Sequence, residues 1–251
     1  MRWWRWIIGA GVVGGIGVVA ATIAWPIGAP VSDLTLQGDA QRGSYLARAS
    51  GCIACHTNFE AGGAPLAGGA PLRTDFGTFY PPNLTTDVEF GIGGWTVEEF
   101  AKAVRQGISP DGDPYYPTFT YPFYAFLTKP DTAPEADRSD AWNRGKLLVN
   151  GAAHCAACHT TRNFAGARIV SKRFSGNDAL PGGGKAPSIR TRDLVSEGWT
   201  TDDMAYALRS GITPSGDVFG GSMAEVVRYG TGFLSDADLN AMATYLLDNK
   251  S

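Results

Sequence analysis

The sequence predicts a mainly α-helical protein, with two tandem helical domains behind an N-terminal transmembrane helix. Three observations carry this expectation. A long uncharged run opens the chain, an ungapped internal repeat joins residues 95–119 to 199–223, and helix-capping signals recur at matching places in both copies. Hydrophobic residues make up 44% of the 251 positions and charged residues only 18%, which excludes a disordered chain, while 33 Gly and 15 Pro imply many loops. Lys and Arg number 21 against 24 Asp and Glu, so no nucleic-acid partner is expected.

Ile7 to Trp25 carries no charge and is long enough, at 1.5 Å per residue, to span a hydrocarbon core. Arg2 and Arg5 precede it and the next charge is Asp33, so the basic flank is expected in the cytoplasm and the rest outside it. Residues 1–27 are therefore read as a transmembrane anchor, with a cleaved signal peptide as the alternative. Residues 28–38, with Pro30, form a stiff tether.

Residues 39–128 are assigned to the first domain, 129–140 to a polar linker and 141–251 to the second domain. Each domain opens with a helix, around Gln41–Leu46 in the first and Asn143–Leu148 in the second. About ten of twenty-five positions are identical between Trp95–Phe119 and Trp199–Met223. Within this stretch Thr96 and Thr200 are the expected N-caps, followed by acidic residues, and Gly107 and Gly211 are the expected C-caps. Ser235 is expected to cap a last helix over Asp236–Leu247, with Leu239, Met242, Ala243 and Leu246 on its apolar face.

All four cysteines fall in two copies of one pattern, Cys52-Ile53-Ala54-Cys55-His56 and Cys155-Ala156-Ala157-Cys158-His159. Two thiols a helical turn apart reach the two vinyl groups of one porphyrin, and the adjacent histidine is placed to bind the iron. Two covalently attached haem c groups follow, with His56 and His159 as iron ligands and cytochrome c-like domains as the fold. A thioredoxin-like dithiol lacks its βαβ setting, and a zinc site leaves both histidines unexplained. Gly182-Gly183-Gly184-Lys185 is followed by Ala186 and so fails as a phosphate loop.

A haem that only transfers electrons is usually closed by a sixth ligand. Met223, in the loop Gly220–Glu225, is the expected partner of His159. Met204 and Met242 fall on apolar helix faces and are expected in the core. In the first domain Phe119 aligns with Met223, and no methionine lies between Met1 and Met204. The candidates for the first iron are His154, Tyr115, Tyr116, Tyr121, Tyr124, Lys129 or a methionine from the second domain or a partner chain; a five-coordinate iron is the other alternative. His154 is otherwise expected on a propionate or a backbone carbonyl.

Ala64–Leu72, Phe76-Gly77-Thr78-Phe79-Tyr80, Asn83-Leu84-Thr85, Gly91–Thr96, Tyr116–Tyr121 and Gly151–Thr160 together resemble the multihaem cytochrome c subunits of membrane-bound periplasmic dehydrogenases. Those subunits accompany gluconate, alcohol and aldehyde dehydrogenases. The resemblance covers most of residues 41–247 and implies electron transfer from a dehydrogenase partner to quinone, a cytochrome or an oxidase. This sequence departs from the family in having two haem motifs where three are usual, in placing Leu127 or Phe119 where the first-domain methionine falls, and in its N-terminal anchor. The expected protein is a dihaem cytochrome anchored in the inner membrane, with its haem domains in the periplasm, serving the respiratory chain. A haem enzyme that turns over a peroxide, nitrogen oxide or sulfur compound at an open first iron is the alternative.

Overall fold

Residues 14–15, 34, 37–116, 119–125, 127, 133–180 and 183–248 are described by a computed structural model. The first helix, α1 (Ala40–Ala49), starts where the Asp39 carboxylate accepts hydrogen bonds from the amides of Gln41 and Arg42, at 2.9 and 3.0 Å. A single turn, α2 (Cys52–Cys55), follows Gly51, whose φ of 68° lets the chain turn sharply between the two. A short antiparallel hairpin, β1 (Leu72–Thr74) and β2 (Gly77–Phe79), pairs Leu72 with Phe79. Helices α3 (Val97–Gln106) and α4 (Tyr121–Tyr124) complete the first repeat.

The second repeat runs through α5 (Asp140–Leu147), a π-turn at Leu148–Ala152, and a 3-10 turn at Cys155–Ala157 that begins with one cysteine of the second pair and is followed by the other, Cys158. Helices α6 (Thr191–Ser196), α7 (Thr201–Ser210), α8 (Gly221–Tyr229) and α9 (Asp236–Leu247) follow. The predicted caps hold. Thr96 and Thr200 each form a reciprocal capping box, with Glu99 and Asp203, while Gly107 and Gly211 end α3 and α7 at φ of 68° and 79°. Ser235 accepts from the Asp238 amide, and Leu239, Met242, Ala243 and Leu246 are buried.

The core is built on α9, which packs against α5, α6 and α7. Gly145 lets the α5 and α9 backbones meet, since a Cβ there would lie 1.9 Å from the Ala241 carbonyl oxygen. Trp142 stands edge-on to Tyr245 at 5.0 Å and donates from Nε1 to the Asp248 carbonyl. The same buried cluster takes in Ala49 of α1 and Phe123 of α4, so side chains of both repeats share it.

Two expectations change. The inner-membrane anchor is corrected: among the described residues no helix is long and apolar enough to cross a membrane, and residues 1–27 lie outside the described residues apart from Gly14 and Gly15. The localisation built on that anchor is not supported. Met223 is in the first turn of α8 and not in a loop, because the chain becomes helical at Gly221. Just before α5, Asn143 bonds Glu135 through both its amide oxygen and its amide nitrogen, and Lys146 pairs with Glu135 at 2.9 Å.

Candidate haem-attachment sites

The two Cys-x-x-Cys-His segments are built alike. Each begins just after a residue in the left-handed region, Gly51 (φ 68°) before Cys52 and His154 (φ 37°) before Cys155. The turn then brings the histidine amide back to the first cysteine carbonyl, at 2.9 Å for His56 and 3.0 Å for His159. The histidine carbonyls in turn accept from Gly68 and Gly176, at 3.0 and 3.1 Å. Thr57 and Thr160 are buried, and their hydroxyl oxygens accept from the amides of Leu66 and Phe174. Both of those residues hold a positive φ, 65° and 61°, which non-glycine residues adopt only when the surroundings fix them.

The imidazoles are aimed in the same way. His56 Nδ1 is 2.7 Å from the Pro82 carbonyl, and His159 Nδ1 is 2.8 Å from the Pro187 carbonyl. A carbonyl only accepts, so Nδ1 carries the proton in both rings and Nε2 keeps its lone pair. A hydrogen bond from the far ring nitrogen of this kind orients a metal-binding histidine. Burial lowers both pKa values, partly opposed by the proline carbonyls, so the rings are neutral at neutral pH.

All four thiols are unpaired. Burial pushes Cys155 up to about 12 and raises Cys52 and Cys158. Cys55 is pushed up to about 11, by desolvation first and then by Cys52, Cys158 and Glu225. A redox dithiol needs the opposite shift, toward a stable thiolate. Among the described residues there is no group of three or more His, Cys, Asp or Glu placed to hold a metal ion. Free thiols one turn apart, beside a neutral imidazole with Nε2 available, fit a covalently held haem in each repeat.

The repeats differ beyond this frame. The loop between Thr160 and Phe174 is longer than that between Thr57 and Leu66, and it carries Arg162, Arg168 and Arg173. None of the three forms an ion pair among the described residues, and Nε of Arg162 and Arg173 is buried without a partner. Desolvation, with Arg162 and Arg173 adding repulsion, lowers Arg168 to about 10, and its guanidinium lies 4.0 Å from the Phe123 ring centre.

Met223 is partly buried against the cluster that Cys155 also touches, and its helix α8 packs on α2 of the first repeat. Phe119 lies among the rings of Tyr115, Tyr121 and Tyr124 at 5.8, 5.9 and 6.4 Å. Tyr121 fills the space beside Gly107, and Tyr116 stacks on Phe79 at 4.3 Å, so this group is packed aromatic structure. Lys129 lies outside the described residues. His154 turns its Nε2 to the Ser50 carbonyl at 3.3 Å, the backbone-carbonyl role expected for it, though the carbonyl belongs to the first repeat. The two proline carbonyls were missed from sequence. The shared Pro-x-Leu/Ile pattern at Pro82-Asn83-Leu84 and Pro187-Ser188-Ile189 is the signal that marks them.

No family model matches the chain. It is 37% identical, over 84% of its length and 86% of the relative's, to a "Diheme cytochrome c-type" protein of Cereibacter sphaeroides. It is 36% identical to the "Alcohol dehydrogenase (quinone), cytochrome c subunit" of Gluconobacter oxydans and 33% to the "Gluconate 2-dehydrogenase cytochrome c subunit" of Pantoea cypripedii. Each of these two alignments covers 82% of the chain, but the chain spans only 54% and 58% of those relatives.

Proposed function

Since the chain belongs to the family of dihaem and dehydrogenase-associated cytochrome c proteins, we propose that it takes single electrons from a dehydrogenase partner and passes them to a respiratory acceptor. The observation that carries this reading is the duplicated geometry, with two Cys-x-x-Cys-His turns whose histidines are each locked by a proline carbonyl. Bound haem supplies a one-electron ferric–ferrous couple, with no atom transferred.

The chain's residues account for how such a group is held. Cys52 and Cys55 would hold one haem, and Cys155 and Cys158 the other, through thioether bonds to its vinyl groups. His56 and His159 would offer their neutral Nε2 atoms to the iron, and the Pro82 and Pro187 carbonyls keep both the tautomer and the ring direction fixed. Met223 would be the second iron ligand from the chain in the second repeat, beside His159. It is supported by its place in the repeat and by its partial burial on the cluster that holds Cys155. Phe119 replaces it in the first repeat, so the two irons differ in environment.

Haem content is the test. The purified protein should contain two covalent haems per chain by pyridine haemochrome assay, and Cys155→Ala with Cys158→Ala should leave one. Met223→Leu should lower the potential of one haem only, on the order of 0.1 V, because the thioether favours ferrous iron. An unchanged redox titration would remove Met223 from the ligand set. A high-spin haem that binds cyanide, is lost in His56→Ala and remains in Met223→Leu would instead favour turnover at the first iron.

A further inference from the structure

The chain has three histidines, and His154 is the one that neither haem motif uses. It directly precedes Cys155 and holds a left-handed backbone, φ 37° and ψ 41°, a strained conformation for a residue with a Cβ. Its Nε2 is 3.3 Å from the Ser50 carbonyl, and because a carbonyl only accepts, Nε2 is the protonated nitrogen and donates. Ser50 lies two residues before Cys52. The same carbonyl accepts from the Tyr124 hydroxyl at 3.1 Å, and that hydroxyl accepts from Thr120 at 3.0 Å. The rings of Phe123 and Tyr124 flank the imidazole at 5.8 and 6.1 Å. Gly51, between Ser50 and Cys52, holds a φ of 68°, the left-handed turn that suits a residue without a Cβ.

One hydrogen bond therefore ties the segment that carries Cys52 to the segment that carries Cys155. Chain atoms connect Cys155 through His154, and Cys52 through Gly51 and Ser50, with that bond as the only break. We propose that His154 is a positioning residue that holds the two haem-attachment segments against each other and thereby sets the electronic coupling between the two haems. This rests on the dihaem reading above. The exchange it governs is a single-electron transfer in which one haem is oxidised as the other is reduced, with no further reactant.

The experiment compares the wild-type holoprotein with His154→Phe, which keeps a ring between Phe123 and Tyr124 but has no donor, and His154→Gln, which can donate to Ser50. Tyr124→Phe is the control, because it strips the other donor from the same carbonyl. The readouts are haem content, the split Soret circular dichroism signal of paired haems, and the interhaem rate after flash photolysis. His154→Phe should keep two haems but lose most of the split signal, with a severalfold lower rate, because electron tunnelling decays exponentially as the two groups move apart. His154→Gln should recover most of both, and Tyr124→Phe should change neither. A His154→Phe protein with two haems and wild-type coupling overturns the proposal, as does loss of coupling in Tyr124→Phe. If His154→Phe does not fold, His154→Gln decides: coupling lost with both haems in place refutes the strut, and wild-type coupling supports it. Fewer than two haems in the wild type would overturn both this proposal and the function on which it rests.

Discussion

Asp238 shows how much one side chain decides in this protein. Its two oxygens take a bidentate pair of hydrogen bonds from Arg144, both 2.8 Å, and Oδ2 also accepts from the Tyr45 hydroxyl at 2.6 Å. Tyr45 oxygen accepts in turn from the Ser235 amide. Three helices meet at that carboxylate: α1, α5 and the N-terminus of α9. The Arg144 hydrogen bonds, aided by Tyr45, hold its pKa below the usual 3.8. A depressed carboxylate pKa stabilises the fold above its unfolded value, and that stability is lost as pH falls through the folded value. Asp238→Asn should therefore cost about 1–2 kcal/mol at neutral pH, with allowance for the exposed side of Arg144. In urea titrations at a series of pH values the gap should begin to close near 3.8 and vanish below the folded pKa. The sequence shows Tyr45, Arg144 and Asp238 as separate polar residues. Nothing in their spacing announces the triad, because its members come from distant parts of the chain.

At the level of elements, capping chemistry was the most legible part. Thr96, Thr200, Ser235, Gly107 and Gly211 act where local side-chain and backbone preferences place them. The hairpin over residues 72–79 was missed because its strands are three residues each, too short for an alternating pattern. Gly43 and Gly145 occupy matching places in the two leading helices, yet only Gly145 is crowded. Gly43→Ala should be neutral or stabilise by up to about 1 kcal/mol through helix propensity, since nothing lies within 4 Å of the new Cβ. Gly145→Ala forces α5 away from Ala241 and Tyr245 and should destabilise by about 3 kcal/mol. Thermal melts of the two variants should shift in opposite directions, or only the second should fall.

Across the whole molecule, the repeats are joined by contacts that the repeat itself does not encode. Phe59 stacks on Tyr229 at 3.7 Å, Arg48 lies 4.1 Å from the Phe233 ring centre, and His154 reaches Ser50. The arginine-bearing loop of the second repeat adds an asymmetry of charge. Ferric haem carries one more positive charge than ferrous haem, so nearby guanidiniums favour reduction. Arg168→Gln should lower one midpoint potential more than the other, by tens of millivolts on the order expected for one charge in a partly screened site, as read by spectroelectrochemical titration. Equal shifts in both haems, or none, would show that the arginines do not distinguish them.

By itself the sequence determined the two Cys-x-x-Cys-His motifs, the duplication, the helix caps and the apolar face of α9, because each depends on residue type at short spacing. Two cysteines, a histidine or a threonine cap carry their chemistry wherever the chain goes. Only the tertiary structure decided which carbonyls orient His56 and His159, where the last unassigned histidine points, and that Met223 lies on a helix packed against the first repeat. Those features depend on backbone carbonyls and on the meeting of distant segments. A carbonyl is the same group in every residue, so its position becomes informative only once the chain has folded.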